Sequence, residues 1–173
     1  DLGAFIALAV KITIYRKGTA AAQSATEFLD LLCPELVFAC AMMADAADEV
    51  LLVIRHFDDE GVDSSKTTQV LHHFMDRIHY LFVLENVLKV EGHTKIALRF
   101  LSRPHVYEVN GTVKCIGGVI GDAVRAAAEP LKHLKTWCVL AFESVLAEFP
   151  SFETMQAMRI FNSTETDHPD LQH

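Results

Sequence analysis

Two histidines and an aspartate share one stripe of a predicted helix. His72, Asp76 and His79 are spaced at i, i+4 and i+7. Because each helical residue advances about 100°, their side chains fall within a stripe about 60° wide. Imidazole and carboxylate groups are common ligands of transition metals. This stripe is therefore the first candidate for chemistry.

Three acidic residues of the preceding predicted helix add possible ligand atoms. Asp45, Asp48 and Glu49 form the one polar patch of a helix that is otherwise apolar almost all round. A short acidic loop joins the two helices, which predicts an antiparallel helical hairpin. In the expected register the acidic patch lies level with residues 73–79. Two imidazoles and up to four carboxylates would then converge, as in the metal sites of helical bundles.

A purely structural interpretation of the same six residues competes with the metal site. His–Asp pairs four residues apart stabilise helices, and carboxylates facing histidines across a hairpin form ordinary salt bridges. Helical di-metal sites use Glu-x-x-His, but Glu49 and Glu85 each lack a histidine three residues on. The structural interpretation is preferred, and the metal site is kept as the alternative.

The remaining candidate motifs lack the spacing of a catalytic or cofactor site. Gly117, Gly118 and Gly121 precede a predicted helix, but they match neither G-x-G-x-x-G nor a P-loop. A role in letting the chain leave a hairpin is preferred. Cys138 follows His133 by five residues, which places the two side chains roughly 140° apart on a helix. The sequence therefore leaves the catalytic and cofactor-binding residues unknown, and whether the chain is an enzyme stays open, with a noncatalytic role favoured.

The cysteines bear on the cellular compartment. They stand at positions 33, 40, 115 and 138 and form no CxxC pair. Cys40, Cys115 and Cys138 have apolar sequence neighbours, so reduced core thiols are expected rather than disulfides. An intracellular protein is favoured on this ground. Secretion is the alternative, because Asn110-Gly111-Thr112 and Asn162-Ser163-Thr164 have the pattern of N-glycosylation sites.

The composition is both apolar and acidic. Hydrophobic residues make up 51% of the 173 residues, and the mean hydropathy is +0.23. This hydropathy favours a large subunit interface or an enclosed apolar ligand. The net charge of −8 opposes binding to nucleic acid and to anionic membranes. No run reaches the roughly 20 apolar residues needed to span a bilayer.

Hydrophobic periodicity predicts a mainly α-helical fold. We expect a single-domain bundle of six to eight helices over residues 1–162, with a polar tail at 163–173. The third helix is expected to be the most buried element because it is apolar nearly all round. Asn110-Gly111, between two short β-type runs, predicts a hairpin near 105–116. The predicted helices cover residues 2–17, 19–32, 35–57, 66–91, 94–101, 122–129 and 130–149, with a last short helix starting at Ser151.

These features predict a noncatalytic helical binding module, a subunit or a ligand-responsive interaction domain. Its partner would be another protein, a second copy of the chain or an apolar small molecule. The fourth predicted helix, with its long apolar face, is the expected contact element. The alternative is a metal-binding helical protein or enzyme that uses the cluster between helices three and four. Apart from that transition metal or an apolar ligand, no cofactor is expected.

Overall fold

The structure, a computed structural model, describes residues 2–58 and 64–149. This part of the chain contains seven α-helices and one antiparallel two-stranded hairpin, which confirms the predicted mainly-α fold. The predicted helix after Ser151 and the polar tail lie outside the described residues. The helices are α1 (Leu2–Tyr15), α2 (Ala20–Leu31), α3 (Pro34–Asp58), α4 (Ser64–Ile78), α5 (His93–Leu101), α6 (Ile120–Ala126) and α7 (Ala128–Glu148), and the strands are β1 (His105–Val109) and β2 (Thr112–Ile116).

The chain divides into two compact units. The first is made of Asp1–Met43 and Val87–Lys132, and the second of Ala44–Asn86 and the chain from His133 onward. Both α3 and α7 therefore contribute residues to each unit. The extent of a single domain over residues 1–162 stays a prediction.

In the first unit, α1 packs against α2 and against β1. Ile6 and Ala9 are buried on α1, and Leu29 is fully buried on α2. The Thr19 side-chain oxygen accepts a hydrogen bond from the Ala22 backbone N–H at 3.2 Å, which satisfies one of the free N–H groups at the start of α2. The sequence ranges predicted for these two helices agree with the structure within two residues.

The β-hairpin turns at Asn110 and Gly111, as predicted. Their φ angles are +51° and +77°, and positive φ at both central residues is what a type I′ turn requires. The register pairs His105 with Ile116 and Val109 with Thr112. Asparagine and glycine tolerate this backbone better than other residues, so the local sequence was sufficient to locate the turn.

Two polar contacts join the hairpin to the end of α2. The Tyr107 hydroxyl donates to the Leu29 carbonyl oxygen at 3.3 Å, and Lys114 forms an ion pair with Asp30. Burial raises the pKa of Tyr107, an effect that the nearby Lys114 ammonium opposes. A hairpin that is unstable alone is thereby attached to the helices of the first unit.

Gly117 lies where the chain leaves β2. Its φ is +79°, and a β-carbon at this position would lie 2.5 Å from the Arg103 carbonyl oxygen and 2.7 Å from that of Leu101. The next residue, Gly118, donates its N–H to the Leu101 carbonyl at 3.0 Å. The close backbone approach accounts for this glycine, in agreement with the structural interpretation of the motif.

The predicted helix at 66–91 is wrong in its second half. In the second unit α4 ends at Ile78, and a π-helical turn covers His79–Val83. The Leu84 N–H donates to the His79 carbonyl at 3.0 Å, an i to i−5 hydrogen bond, and Glu85 then has a φ of +57°. Apolar residues continue at helical spacing through this break, so periodicity did not reveal it.

The burial expected for α3 is also wrong. Phe38 and Met42 are fully buried, but Met43 is 63% exposed and Leu52 and Ile54 are nearly half exposed. A helix that is apolar on all sides need not have every side buried within its own chain. In this helix one apolar side is buried and another faces solvent.

Candidate functional site

The predicted histidine stripe lies along α4 and the turn that follows. His72 Nε2 is 3.3 Å from Asp76 Oδ2. His79 is exposed, and its ring stacks on Phe142 with 6.4 Å between the centroids. The stripe thus borders the buried face, as the spacing predicted. Its members form one His–Asp pair and one stacked ring.

The acidic patch on α3 is spread over different environments. Asp45 is buried, Asp48 is exposed, and the Glu49 side chain is 12% exposed. Glu49 Oε1 accepts a hydrogen bond from Arg77 Nε at 2.9 Å. The cation that faces Glu49 is therefore a guanidinium and not a histidine.

The α3–α4 hairpin is antiparallel, as predicted. His56 Nε2 and Thr67 Oγ1 are hydrogen-bonded at 2.9 Å, and Glu49 pairs with Arg77 further along the two helices. Within residues 2–58 and 64–149, no three His, Cys, Asp or Glu side chains form a group that could hold a metal ion. The structure brings the two helices together without gathering the six predicted ligands, so the metal site stays a prediction.

The four cysteines are free thiols in different surroundings. Cys138 is buried; its Sγ donates to the Ile78 carbonyl oxygen at 3.7 Å, and burial raises its pKa to about 11. Cys40 and Cys115 are exposed, which corrects the expectation that they lie in a core. Cys40 is on the uncovered side of α3 and Cys115 is on the outer face of β2, so apolar sequence neighbours were a poor guide to burial.

The structure shows an apolar surface that sequence reasoning missed. Phe5, Leu8 and Tyr15 of α1 are 53%, 53% and 81% exposed. With the half-buried Ile12 they form a continuous line on one side of the helix, which we name the α1 stripe (Phe5, Leu8, Ile12, Tyr15). The spacing was visible in the sequence. A second apolar stripe on the same helix obscured it, because the sequence does not say which of the two is buried.

A groove of about 380 Å³ adjoins the α1 stripe. It is lined by Leu8, Lys11, Ile12, Tyr15, Arg16 and Ala21. Leu8, Ile12 and Ala21 are aliphatic, Tyr15 adds an aromatic ring, and Lys11 and Arg16 are cations. This groove, in the first unit, combines apolar contact area with positive charge.

The predicted contact element, α4, offers less apolar surface than α1. Between Lys66 and Ile78 none of its large apolar side chains is exposed. Leu71, Phe74 and Ile78 are instead buried within the fold. The apolar face of α4 is thus packed inside the fold, while Tyr80 and Leu84, in the remainder of the predicted fourth helix, are exposed. The fourth helix as contact element stays a prediction.

Comparison of the chain with protein-family models, curated proteins and solved structures gives no match. Among the described helices, none combines the length and apolar character needed to cross a bilayer.

Proposed function

We propose that this chain is a noncatalytic helical binding module, a subunit or a ligand-responsive interaction domain. Its partner is a protein, a second copy or an apolar small molecule. The exposure of large apolar side chains on α1 and α3 is the observation that supports this function. On α1 they are Phe5, Leu8, Ile14 and Tyr15, and on α3 they are Leu36, Met43, Leu51, Leu52, Ile54 and Phe57.

Covering this surface would be energetically favourable. Removing apolar surface from water is worth about 25 cal/mol per Å². A specific protein interface covers about 800 Å² on each partner and places large apolar side chains at its centre. Isolated exposed apolar residues are common, but several on one helix face are typical of an interaction surface.

Sedimentation velocity and native mass spectrometry on tag-free protein test this function. We expect either an assembly or a co-purified molecule, together with binding of a dye that reports exposed apolar surface. A strict monomer that carries no molecule and binds no dye would refute the proposal. Leu52 is exposed on α3. The variant Leu52→Glu should therefore reduce dye binding while leaving the helical circular dichroism spectrum unchanged.

The competing proposal is a metal-binding protein or enzyme. The antiparallel α3–α4 register favours it, because it keeps the acidic patch near the level of His79. Elemental analysis of protein purified without chelators decides between the two proposals. Stoichiometric metal that is lost in His79→Ala would place this function first, and metal-free protein that assembles would support the binding module.

A further inference from the structure

We propose that the α1 stripe and its groove bind an amphipathic helix of another protein whose apolar side is flanked by carboxylates. The inference rests on the proposed binding function and specifies the class of partner. It depends on three features of the first unit: the spacing of the stripe, the concave groove beside it, and the charges on its two sides.

The spacing of the α1 stripe suits a partner helix. Phe5, Leu8, Ile12 and Tyr15 are separated by three, four and three residues, which are the a and d positions of a heptad pattern. The stripe is about 15 Å long at 1.5 Å per residue. A facing helix can place its own side chains between those of such a stripe over nearly three turns.

The other side of α1 is already covered within the unit. Ile6, Ala9 and Thr13 are buried there. Phe5, at one end of the stripe, is also held in place, because its ring packs edge-to-face on Phe28 at 5.1 Å. Because α1 is fixed in this way, its outer stripe is a preformed surface. The ordering cost of binding is therefore lower than for an isolated amphipathic helix.

The shape of the groove favours a partner helix, whose side chains project as a ridge, over a flat partner such as a lipid surface. Ala21 at the start of α2 is small, and beside it the groove has a volume of about 380 Å³ between α1 and α2. A concave surface of this kind accepts the side chains that project from a helix. A planar lipid surface would contact only its rim.

Two cations flank the α1 stripe. By the helical angle per residue, Lys11 lies roughly 40° beyond one edge of the stripe and Arg16 roughly 20° beyond the other. The Arg16 N–H donates to the Ile12 carbonyl at 3.0 Å, so helical geometry extends to this residue. Neither side chain forms an ion pair within the described part of the chain.

This positive charge is local. From residue 2 to residue 26 the sequence has Lys11, Arg16 and Lys17 and no carboxylate, although the whole chain has a net charge of −8. Flanking charges select partners in helical pairs. Carboxylates beside the apolar side of the partner would complement Lys11 and Arg16.

The same charges disfavour a second copy on this surface. Pairing two α1 stripes would bring Lys11 towards Arg16 in a parallel arrangement. In an antiparallel arrangement it would bring Lys11 towards the Lys11 side of the second copy, and Arg16 towards its Arg16 side. Both arrangements place like charges together at the edge of an apolar contact, which acts against self-association.

Two designed peptides test the inference on the full chain. Each has three heptads with Leu at a and d; one has Glu at e and g, and the other has Lys at these positions. Each peptide resists self-association because its flanking charges repel. By fluorescence anisotropy in low salt, we expect the Glu peptide to bind about tenfold more tightly than the Lys peptide.

Substitutions in the chain provide the matched comparison. The double variant Lys11→Glu/Arg16→Glu should invert the peptide preference, and Leu8→Asp should abolish binding of both peptides. Val113→Asp is the control, because Val113 is 69% exposed on β2 and does not line the groove. It should leave both affinities unchanged. Circular dichroism verifies that each variant is folded.

Several outcomes would overturn the inference. Equal affinity for the two peptides, or a preference unaffected by charge reversal, would exclude selection by Lys11 and Arg16. Binding to phosphatidylserine vesicles without binding to the Glu peptide would identify a membrane-facing surface. A dimer that Leu8→Asp dissociates would identify a second copy. If neither peptide binds while native mass spectrometry shows another partner, the binding function stands and this assignment of its partner fails.

Discussion

At Gly117 two backbone carbonyl oxygens occupy the space that a side chain would need. The φ of +79° is unfavourable for any residue with a β-carbon, and the Arg103 and Leu101 oxygens add a steric clash. Gly111 has nearly the same φ, +77°, but a β-carbon added there would have no atom within 4 Å. Substitutions at these two glycines therefore separate the cost of the left-handed backbone, which both share, from the cost of the steric clash, which only Gly117 has.

We expect Gly117→Ala to destabilise the protein by about 2 kcal/mol more than Gly111→Ala. Both variants carry the cost of a left-handed backbone, about 1–2 kcal/mol, but only the first must also move the chain near Leu101. Urea denaturation followed by circular dichroism measures the difference. Equal losses of stability would show that the backbone around Gly117 adjusts without cost.

The thiols should differ in reactivity according to their surroundings. Cys138 is buried with a pKa of about 11, whereas Cys40 and Cys115 are exposed. In the native protein at pH 8, we expect iodoacetamide to modify Cys40 and Cys115 and to leave Cys138 unmodified. Peptide mass spectrometry identifies the modified positions. Rapid labelling of Cys138 would contradict its burial, and denatured protein provides the control for full labelling.

Burial of Cys138 also sets the sign of one pH effect. Its pKa is raised from 9.0 to about 11, so the folded state holds the thiol proton more tightly than the unfolded state. The resulting contribution to stability is complete below pH 9 and is lost as the pH rises towards 11. In Cys138→Ala this part of the alkaline loss of stability should disappear, which urea unfolding at a series of pH values measures.

At the scale of elements, the α3–α4 hairpin shows what helical periodicity determines. It predicted two antiparallel helices in the correct approximate register, as the His56–Thr67 contact confirms. It did not identify the partner of Glu49, because a small difference in register separates a histidine from Arg77. The midpoint of the loop predicts which residues face each other only to within a few positions. Predicting a particular side-chain pair requires the register to the exact residue.

The Glu49–Arg77 pair should contribute measurably to stability. Glu49 is 12% exposed and Arg77 35% exposed, so their hydrogen bond at 2.9 Å is partly shielded from water. In a double-mutant cycle with Ala at each position, we expect a coupling free energy of about 1 kcal/mol.

The His72–Asp76 pair is the matched control for this cycle. It lies in the same hairpin but is more exposed, and we expect a coupling of only a few tenths of a kcal/mol, about the value of a helical surface pair. Thermal or urea unfolding of the single and double variants provides both values. A larger coupling for His72–Asp76 than for Glu49–Arg77 would contradict the ranking by exposure.

The end of α4 lay beyond what the sequence could predict. The π-helical turn at His79–Val83 changes the backbone hydrogen-bond spacing, but the apolar residues on either side still follow helical intervals. Glu85 then adopts a positive φ without being glycine or asparagine. Neither feature has a local sequence signal, unlike the Asn110-Gly111 turn, which local backbone preferences specify directly.

At the scale of the whole molecule, the sequence predicted the fold class and not the distribution of exposed surface. Helix content and the hairpin follow from local patterns and were correct. Burial depends on which face meets a neighbour, so the exposed sides of α1 and α3 were not foreseen. For the same reason large apolar side chains are exposed on α1 and buried on α4, although both helices have apolar stripes.

The division of the chain into two discontinuous units has a consequence for its synthesis. The first unit needs residues up to Lys132, yet the second has already begun at Ala44. A growing chain therefore cannot complete its first unit before it has made much of the second. Domains that are continuous in sequence can fold one after another from the N-terminus. Here α1 and α2 can pack on each other early, but the contact of α1 with β1 can form only after the ribosome has added residues 105–109.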